Sequence, residues 1–158
     1  MNDFKEYDFV VYGATGFTGK LVVEYLVEKY SNNSEISWAL AGRNLEKLET
    51  VATSKNVPED TGLLVVDSND IASIEEMVSK TKCVLTTVGP YQLYGNDIVA
   101  ACAKFGTDYV DLCGEPGWMH EKINELSDVA KESGSRICLL YTSPSPRDQR
   151  GSRMPSSA

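Results

Sequence analysis

Residues 9–20 read FVVYGATGFTGK. A near-continuous apolar run ends at Gly13, and further glycines follow at Gly16 and Gly19. An apolar run without alternation is the pattern of a strand covered on both faces. A glycine-rich turn from such a strand into a helix turns tightly, lets backbone approach a ligand and packs the helix against the strand. The helix that follows aims its unpaired N–H groups and the positive end of its dipole at the turn. The stretch therefore predicts a βα unit that holds a phosphate-bearing ligand. Its spacing is GxxGxxG, the variant with the wider loop. Gly13, Gly16 and Gly19 are candidate contacts, with Phe17 in the loop and the hydroxyls of Thr15 and Thr18. The alternative is a tight βα turn with no ligand.

Outward from this turn, short β-type runs alternate with helical patterns. Strands are expected at 7–12, 36–41, 62–67, 83–88, 107–112 and 136–140. Helices are expected at 18–30, 45–52, 70–80, 96–106 and 116–134. The first helix shows a stripe of Leu21, Val22, Tyr25 and Leu26. The third shows Ile71, Ile74, Met77 and Val78, with Asp70 as N-cap. The fourth shows Ile98, Ala101, Cys102 and Phe105, with Gly106 as its stop. The last shows Met119, Ile123, Leu126 and Ala130, with Pro116 near its start. Six strands alternating with five helices imply parallel crossovers. The expected fold is α/β, a Rossmann-like doubly wound parallel sheet of about six strands in the order 3-2-1-4-5-6. Ligands then belong at the carboxyl ends of strands 1 and 4.

The 158 residues suit one domain, and the formal charge of −8 argues against general nucleic-acid binding. A single phosphate ligand remains compatible, because a nest of backbone N–H groups can hold it. Cys83, Cys102, Cys113 and Cys138 are spaced 19, 11 and 25 apart, which fits no metal template. Cys83 and Cys102 fall on apolar faces and read as reduced core residues. No basic, apolar leader precedes the first strand, and no run is long enough to span a membrane. A soluble, intracellular, cytoplasmic chain is expected.

The end of the second strand discriminates between cofactors. An acid there holds a ribose 2′-OH, whereas an arginine accommodates a 2′-phosphate. The sequence reads ALAGRN, with Arg43 and Asn44 and no acid. A guanidinium presents a flat fork of donors to a phosphate. NADP(H) is therefore expected over NAD(H), the alternative being a surface arginine beside a helix start. Asp67, at the end of the third strand, either accepts from the adenine amino group or serves as a turn acid.

The stretch TTVGPYQLYG follows the fourth strand, where the nicotinamide half belongs. Gly89 permits close approach of a ring there, and Tyr91 and Tyr94 are either donors or packing. Asp111 and Glu115 follow the fifth strand and can face the same crevice, although Glu115 reads better as the cap of the helix that Pro116 begins. His120, the single histidine, has no evident acidic orienter and reads as structural or exposed. Tyr25 and Lys29 form a Tyr-x-x-x-Lys pair, but in the first helix, away from where that pair works in short-chain reductases. Catalytic residues are unassigned.

Residues 141–158, YTSPSPRDQRGSRMPSSA, are rich in Ser, Pro and Arg and have no periodicity. They read as disordered and foreign to the protein, the alternative being a natural flexible tail. Residues 1–140 are then one dinucleotide-binding domain, cut off within its sixth strand.

YDFVVYGATGFTGKLVVEYL, WALAGRNLEKLE and LTTVGPYQLYGNDIVAACAKFGTDYVDLCGEPGWM together resemble the cofactor domain of the saccharopine dehydrogenase-like oxidoreductases. That group includes an enoyl reductase of bacterial glycolipid synthesis. The resemblance covers roughly residues 6–137. It implies an NADP-linked oxidoreductase with Gly13, Gly16, Gly19 and Arg43 at the cofactor. It also implies a second domain, outside these residues, that supplies much of the substrate site, and a small-molecule or lipid-like substrate. Some members associate with lipid droplets or membranes. A dinucleotide-sensing regulator without catalysis is the competing reading, and a sugar-nucleotide epimerase or short-chain reductase a third. The oligomeric state is not legible.

Overall fold

The computed structural model describes residues 5–31 and 35–140. The expected tail at 141–158 lies outside the described residues. The first unit is β1 (Tyr7–Tyr12), α1 (Phe17–Tyr30), β2 (Trp38–Gly42), α2 (Leu45–Ser54) and β3 (Gly62–Val65). The second is α3 (Ile71–Ser79), β4 (Thr81–Thr86), α4 (Tyr91–Tyr94), α5 (Asn96–Phe105), β5 (Asp108–Val110), α6 (Pro116–Ser133) and β6 (Ile137–Cys138).

All pairings are parallel, and the sheet order is β3-β2-β1-β4-β5-β6. The expected topology is thus the observed one. The central register sets Val11 beside Leu40 on one side and Leu85 on the other. Alternation along β1 feeds two cores. Val10 and Tyr12 pack with Ile74, Met77, Ile98 and Trp118. Val11 packs on the opposite face with Val23, Leu26, Leu40 and Leu48. A strand buried on both faces needs apolar residues at every position, which is why the run opening the chain is continuous.

Local chemistry fixes the helix ends. Asn44 accepts from the Lys47 amide and starts α2. Asp70 accepts from the Ala72 amide and starts α3, as expected. Gly106 ends α5 with φ 64°, the left-handed conformation that glycine adopts without a Cβ penalty.

Four helix-face expectations are corrected. In α1, Leu21 and Tyr25 are exposed, and Gly19, Val23 and Leu26 face the core. Gly19 sets this rotation: a Cβ there would meet the Gly13 carbonyl oxygen and lie 2.8 Å from Ala14 Cα, so that face must press on the loop. Ile71, the first residue of α3, and Phe105, the last of α5, stand at the helix ends and are exposed. In α6 the inward stripe is Trp118, Lys122, Leu126 and Ala130, and Ile123 is exposed. Lys122 lies inward because its apolar stem covers the core while its Nζ reaches Glu121 and Glu125. The helix α4 was not expected. Four residues are too few for a helical period to show in a sequence.

Cys83, Cys102, Cys113 and Cys138 are all free thiols. Cys102 is fully buried, and burial pushes its thiol well above the ordinary range. Cys83 is half-buried, and its thiol is pushed up to about 11, chiefly by burial.

Candidate functional site

A cleft of about 260 Å³ opens at the carboxyl ends of β1, β2 and β4, where the strand order reverses. Crevices at such a switch point are where ligands bind in doubly wound sheets. The first wall is the 13–19 loop. The amides of Gly13 and Ala14 both donate to the Ala41 carbonyl, at 2.9 and 3.2 Å, and this turns the chain sharply after β1. Gly13 has φ 89°, and a Cβ there would lie 2.7 Å from Val88 Cγ2 and 2.8 Å from Thr87 Oγ1. Only glycine fits that point. Thr87 Oγ1 donates to the Tyr12 and Gly13 carbonyls, at 3.3 and 3.2 Å, and ties this loop to the end of β4. Helix α1 begins after Gly16 without a side-chain cap and without an acid in its first turn. Its amino end therefore presents backbone N–H groups and the positive dipole end to the cleft.

Five of the sequence-predicted residues line the cleft together: Gly13, Thr15, Gly16, Arg43 and Gly89. Arg43 is the single charged residue of the lining. Among the described residues it forms no ion pair. Tyr12, buried beneath it, has its phenol pushed up to about 12, chiefly by burial, with the nearby Arg43 charge pulling the other way. Tyr94 also lines the cleft.

The other candidates lie at its margins or away from it. Phe17 is 84% exposed at the start of α1. Thr18 and Gly19 belong to the first turn of α1, where Gly19 serves the contact with Gly13 and Ala14. The side chain of Asn44 is engaged in capping α2, at 2.9 Å from the Lys47 amide. Asp67 accepts from the amide and side chain of Asn69, at 3.0 and 3.2 Å, the geometry of a turn acid. Its neighbour Ser68 lines the cleft instead. Sequence reasoning did not single out Tyr12, Gly42 or Ser68. Their signal was positional, since Tyr12 and Gly42 end the strands β1 and β2 and Ser68 follows the carboxyl end of the edge strand β3.

Expectations for the region after β5 are corrected. Glu115 stands at the cap position of α6 but makes no side-chain cap bond there. Its Oε1 accepts from the Tyr91 amide at 2.7 Å and its Oε2 from the Gln92 amide at 3.0 Å, so it caps α4 across space. Asp111 is likewise turned inward. It accepts from the Tyr109 hydroxyl at 3.0 Å and from the amides of Cys113 and Leu140 at 3.1 and 2.8 Å. Tyr91 is buried, donates to the Thr86 carbonyl and accepts from the Leu112 amide. Burial also lifts its phenol to about 12. His120 is exposed, with Nε2 3.1 Å from Asn124 Nδ2. Tyr25 and Lys29 lie on α1 outside the cleft lining, with Lys29 paired to Glu28.

These features suit a dinucleotide. A positive-φ glycine with no room for a Cβ, an uncapped helix start and a guanidinium without an ion pair among the described residues line one crevice. The lining contains no carboxylate to repel phosphate. Among the described residues no cluster of His, Cys, Asp and Glu has the composition of a metal site. No described helix is long and apolar enough to cross a membrane.

Comparison with known proteins agrees with this geometry. The family model of the saccharopine dehydrogenase NADP binding domain matches residues 9–138. The chain is 44% identical over 138 residues to a trans-acting enoyl reductase of Mycobacterium leprae, covering 87% of this chain and 32% of that one. It is 43% identical over 139 residues to a lipid droplet localized protein of Caenorhabditis elegans, covering 81% of this chain and 31% of that one. The chain thus spans about a third of the length of these curated relatives. Apo saccharopine dehydrogenase of Saccharomyces cerevisiae superposes with a TM-score of 0.65 at 17% identity, over 85% of this chain and 27% of that one. The triphenylmethane reductase of Citrobacter sp., complexed with NADP(H), gives 0.60 at 18% identity, over 84% and 48%. At these identities the two structures speak for the fold. The family match, read with the glycine-walled cleft and its arginine, has one conclusion: the chain belongs to the saccharopine dehydrogenase NADP-binding domain family.

Proposed function

We propose that residues 5–140 form the cofactor-holding part of an NADP(H)-dependent oxidoreductase acting on an unsaturated, lipid-like substrate. The observation that carries this is Arg43, the one charge in a cleft otherwise walled by glycine backbone and hydroxyls. In this reading Gly13, Thr15 and Gly16 hold the pyrophosphate against the start of α1, with Phe17, Thr18 and Gly19 completing that turn. Arg43, flanked by Asn44, receives the 2′-phosphate. Ser68 and the Asp67 turn flank the adenine side, and Gly89 lets the nicotinamide approach β4. When bound, NADP(H) supplies a hydride at the nicotinamide C4. The lipid-like substrate and an association with lipid surfaces are supported by the names of the two relatives, an enoyl reductase and a lipid droplet protein. A substrate domain outside the described residues is part of this proposal.

Direct binding tests it. The Kd for NADPH is expected to be well below that for NADH. Arg43→Ala is expected to weaken NADPH by about 10- to 100-fold, the loss of one or two charge-assisted hydrogen bonds, and to leave NADH little changed. Equal affinity of the unaltered chain for both cofactors overturns the role of Arg43.

A second reading, a dinucleotide-sensing regulator, is favoured by one feature. The cleft lining contains no lysine, histidine or carboxylate to move a proton. NADPH oxidation by the full-length protein with an enoyl substrate decides against it.

A further inference from the structure

We infer that Glu115 is a positioning residue of the cofactor cleft, clamping the wall that faces the nicotinamide half although it touches no ligand itself. The inference rests on the cofactor reading above. The cleft's second wall runs from Thr87 through Val88 and Gly89 to Tyr94. Between the end of β4 at Thr86 and Tyr94 the chain must pass Pro90 and begin a helix of four residues. So short a helix cannot hold its own place, because helix formation needs several turns to recover the cost of its first. Its leading N–H groups have no partner within the helix.

Glu115 supplies what the segment lacks. Its two carboxylate oxygens take the two successive amides of Tyr91 and Gln92, at 2.7 and 3.0 Å. Charge-assisted bonds of this kind are roughly twice as strong as neutral ones. A pair of them fixes orientation as well as distance. Three residues on, Trp118 packs on the other side of the same segment. Its ring lies 5.6 Å from that of Tyr91, and its indole N–H donates to Asn96 Oδ1 at 2.9 Å. A Cβ on Gly95 would lie 2.8 Å from Trp118 Cζ2, so the two elements are in close contact. Tyr91 is anchored beneath by the Thr86 carbonyl and the Leu112 amide. The start of α6 therefore grips residues 91–96 from two directions, and Glu115 is the polar half of that grip. Its place in the assembly is to hold Gly89 and Tyr94 at the distance that the nicotinamide side of the cleft requires.

The test separates the two halves of the ligand. NADPH spans both walls, whereas 2′,5′-ADP carries the adenine, the ribose and its 2′- and 5′-phosphates and reaches only Arg43 and the 13–19 loop. Glu115→Gln keeps the size but replaces one acceptor oxygen with an NH2 group that faces a backbone N–H. With the full 158-residue chain, this variant is expected to bind NADPH about tenfold more weakly and 2′,5′-ADP within about twofold of the unaltered chain. Glu115→Asp keeps the charge but falls one methylene short of the two amides. It is expected to show the same split, and it serves where the glutamine variant does not fold. Equal losses for both ligands, or none for either, overturn the positioning role while leaving the cofactor reading in place. Failure of the unaltered chain to bind either ligand overturns the cofactor reading and this inference with it.

Discussion

The two walls of the cleft are built by opposite means. The wall at residues 12–19 is backbone held chiefly by backbone, its own and that of the neighbouring strand β2. Gly13 at φ 89° turns against the Ala41 carbonyl, and Gly19 lets α1 press on Gly13 and Ala14. The wall at residues 86–96 is backbone held by distant side chains, with Glu115 lying 24 and 23 positions beyond the amides it accepts. A wall of the first kind forms with the pairing of the central strands. A wall of the second kind exists only once α6 has docked. The first is rigid by covalent and steric necessity, and the second is as rigid as the contacts that hold it.

The sharpest way to break this division is to remove the apolar half of the grip. Trp118→Ala loses a buried indole and its bond to Asn96, and is expected to cost about 3–5 kcal/mol in urea unfolding. If the walls are independent, NADPH affinity falls and 2′,5′-ADP affinity holds. Equal losses mean that the α6 grip supports the first wall as well. Gly13→Ala addresses the other side. Both the positive φ and the contacts with Val88 and Thr87 oppose a Cβ, so a cost of about 1–3 kcal/mol is expected. Here both ligands should lose affinity together, because this loop faces the phosphates they share.

The same division explains what the sequence could disclose. β1, with its bounds at Tyr7–Tyr12, the crossover order and the glycine loop were legible, because apolar run length and glycine spacing are local signals. Arg43 was legible because its place at the end of a strand follows from the strand. The face of α1 was misjudged because six of the seven residues from 21 to 27, Leu21, Val22, Val23, Tyr25, Leu26 and Val27, are apolar or aromatic over about two turns, too many for one stripe to stand out. The rotation is chosen by Gly19, which counts as nothing in a hydrophobic pattern. The inward Lys122 was hidden for the opposite reason, since a charged residue reads as a solvated face until its stem is seen to pack. Glu115 was placed correctly at the cap position of α6, yet no sequence rule says that its carboxylate serves another helix. Asp111 shares that history: a carboxylate at a strand end looks like a site residue, but here it fastens the last two strands.

Asp111→Asn sharpens the comparison by acting outside both walls. Its carboxylate takes three bonds from Tyr109, Cys113 and Leu140, and the amide side chain offers one acceptor oxygen in place of two. A loss of about 1–2 kcal/mol is expected, with both ligand affinities unchanged. A fall in NADPH affinity alone would extend the second wall to the carboxyl end of β5.

The smallest expected effect lies at the far end of the sheet, where Asp108 meets Arg136. The carboxylate accepts from the Arg136 amide at 2.9 Å and pairs with its guanidinium. These bonds, the guanidinium's first, hold the Asp108 carboxyl below the usual range. A group lowered in the folded state stabilises at pH values above its unfolded value, about 4, and that contribution is lost as pH falls through the lower folded value. The Arg136 side chain is 86% exposed, so solvent and salt screen the pair and its contribution at neutral pH is small. Asp108→Asn should therefore melt slightly below the unaltered chain at pH 7, and the gap should close below pH 4. The Tm difference followed from pH 7 to pH 3 distinguishes the two contributions. A gap that persists unchanged in acid would mean that the backbone bond from Arg136, and not the charge, carries the contact. The edge of the sheet would then be fastened as the 13–19 loop is, by a backbone amide held against an oxygen acceptor, with no part for the ion pair.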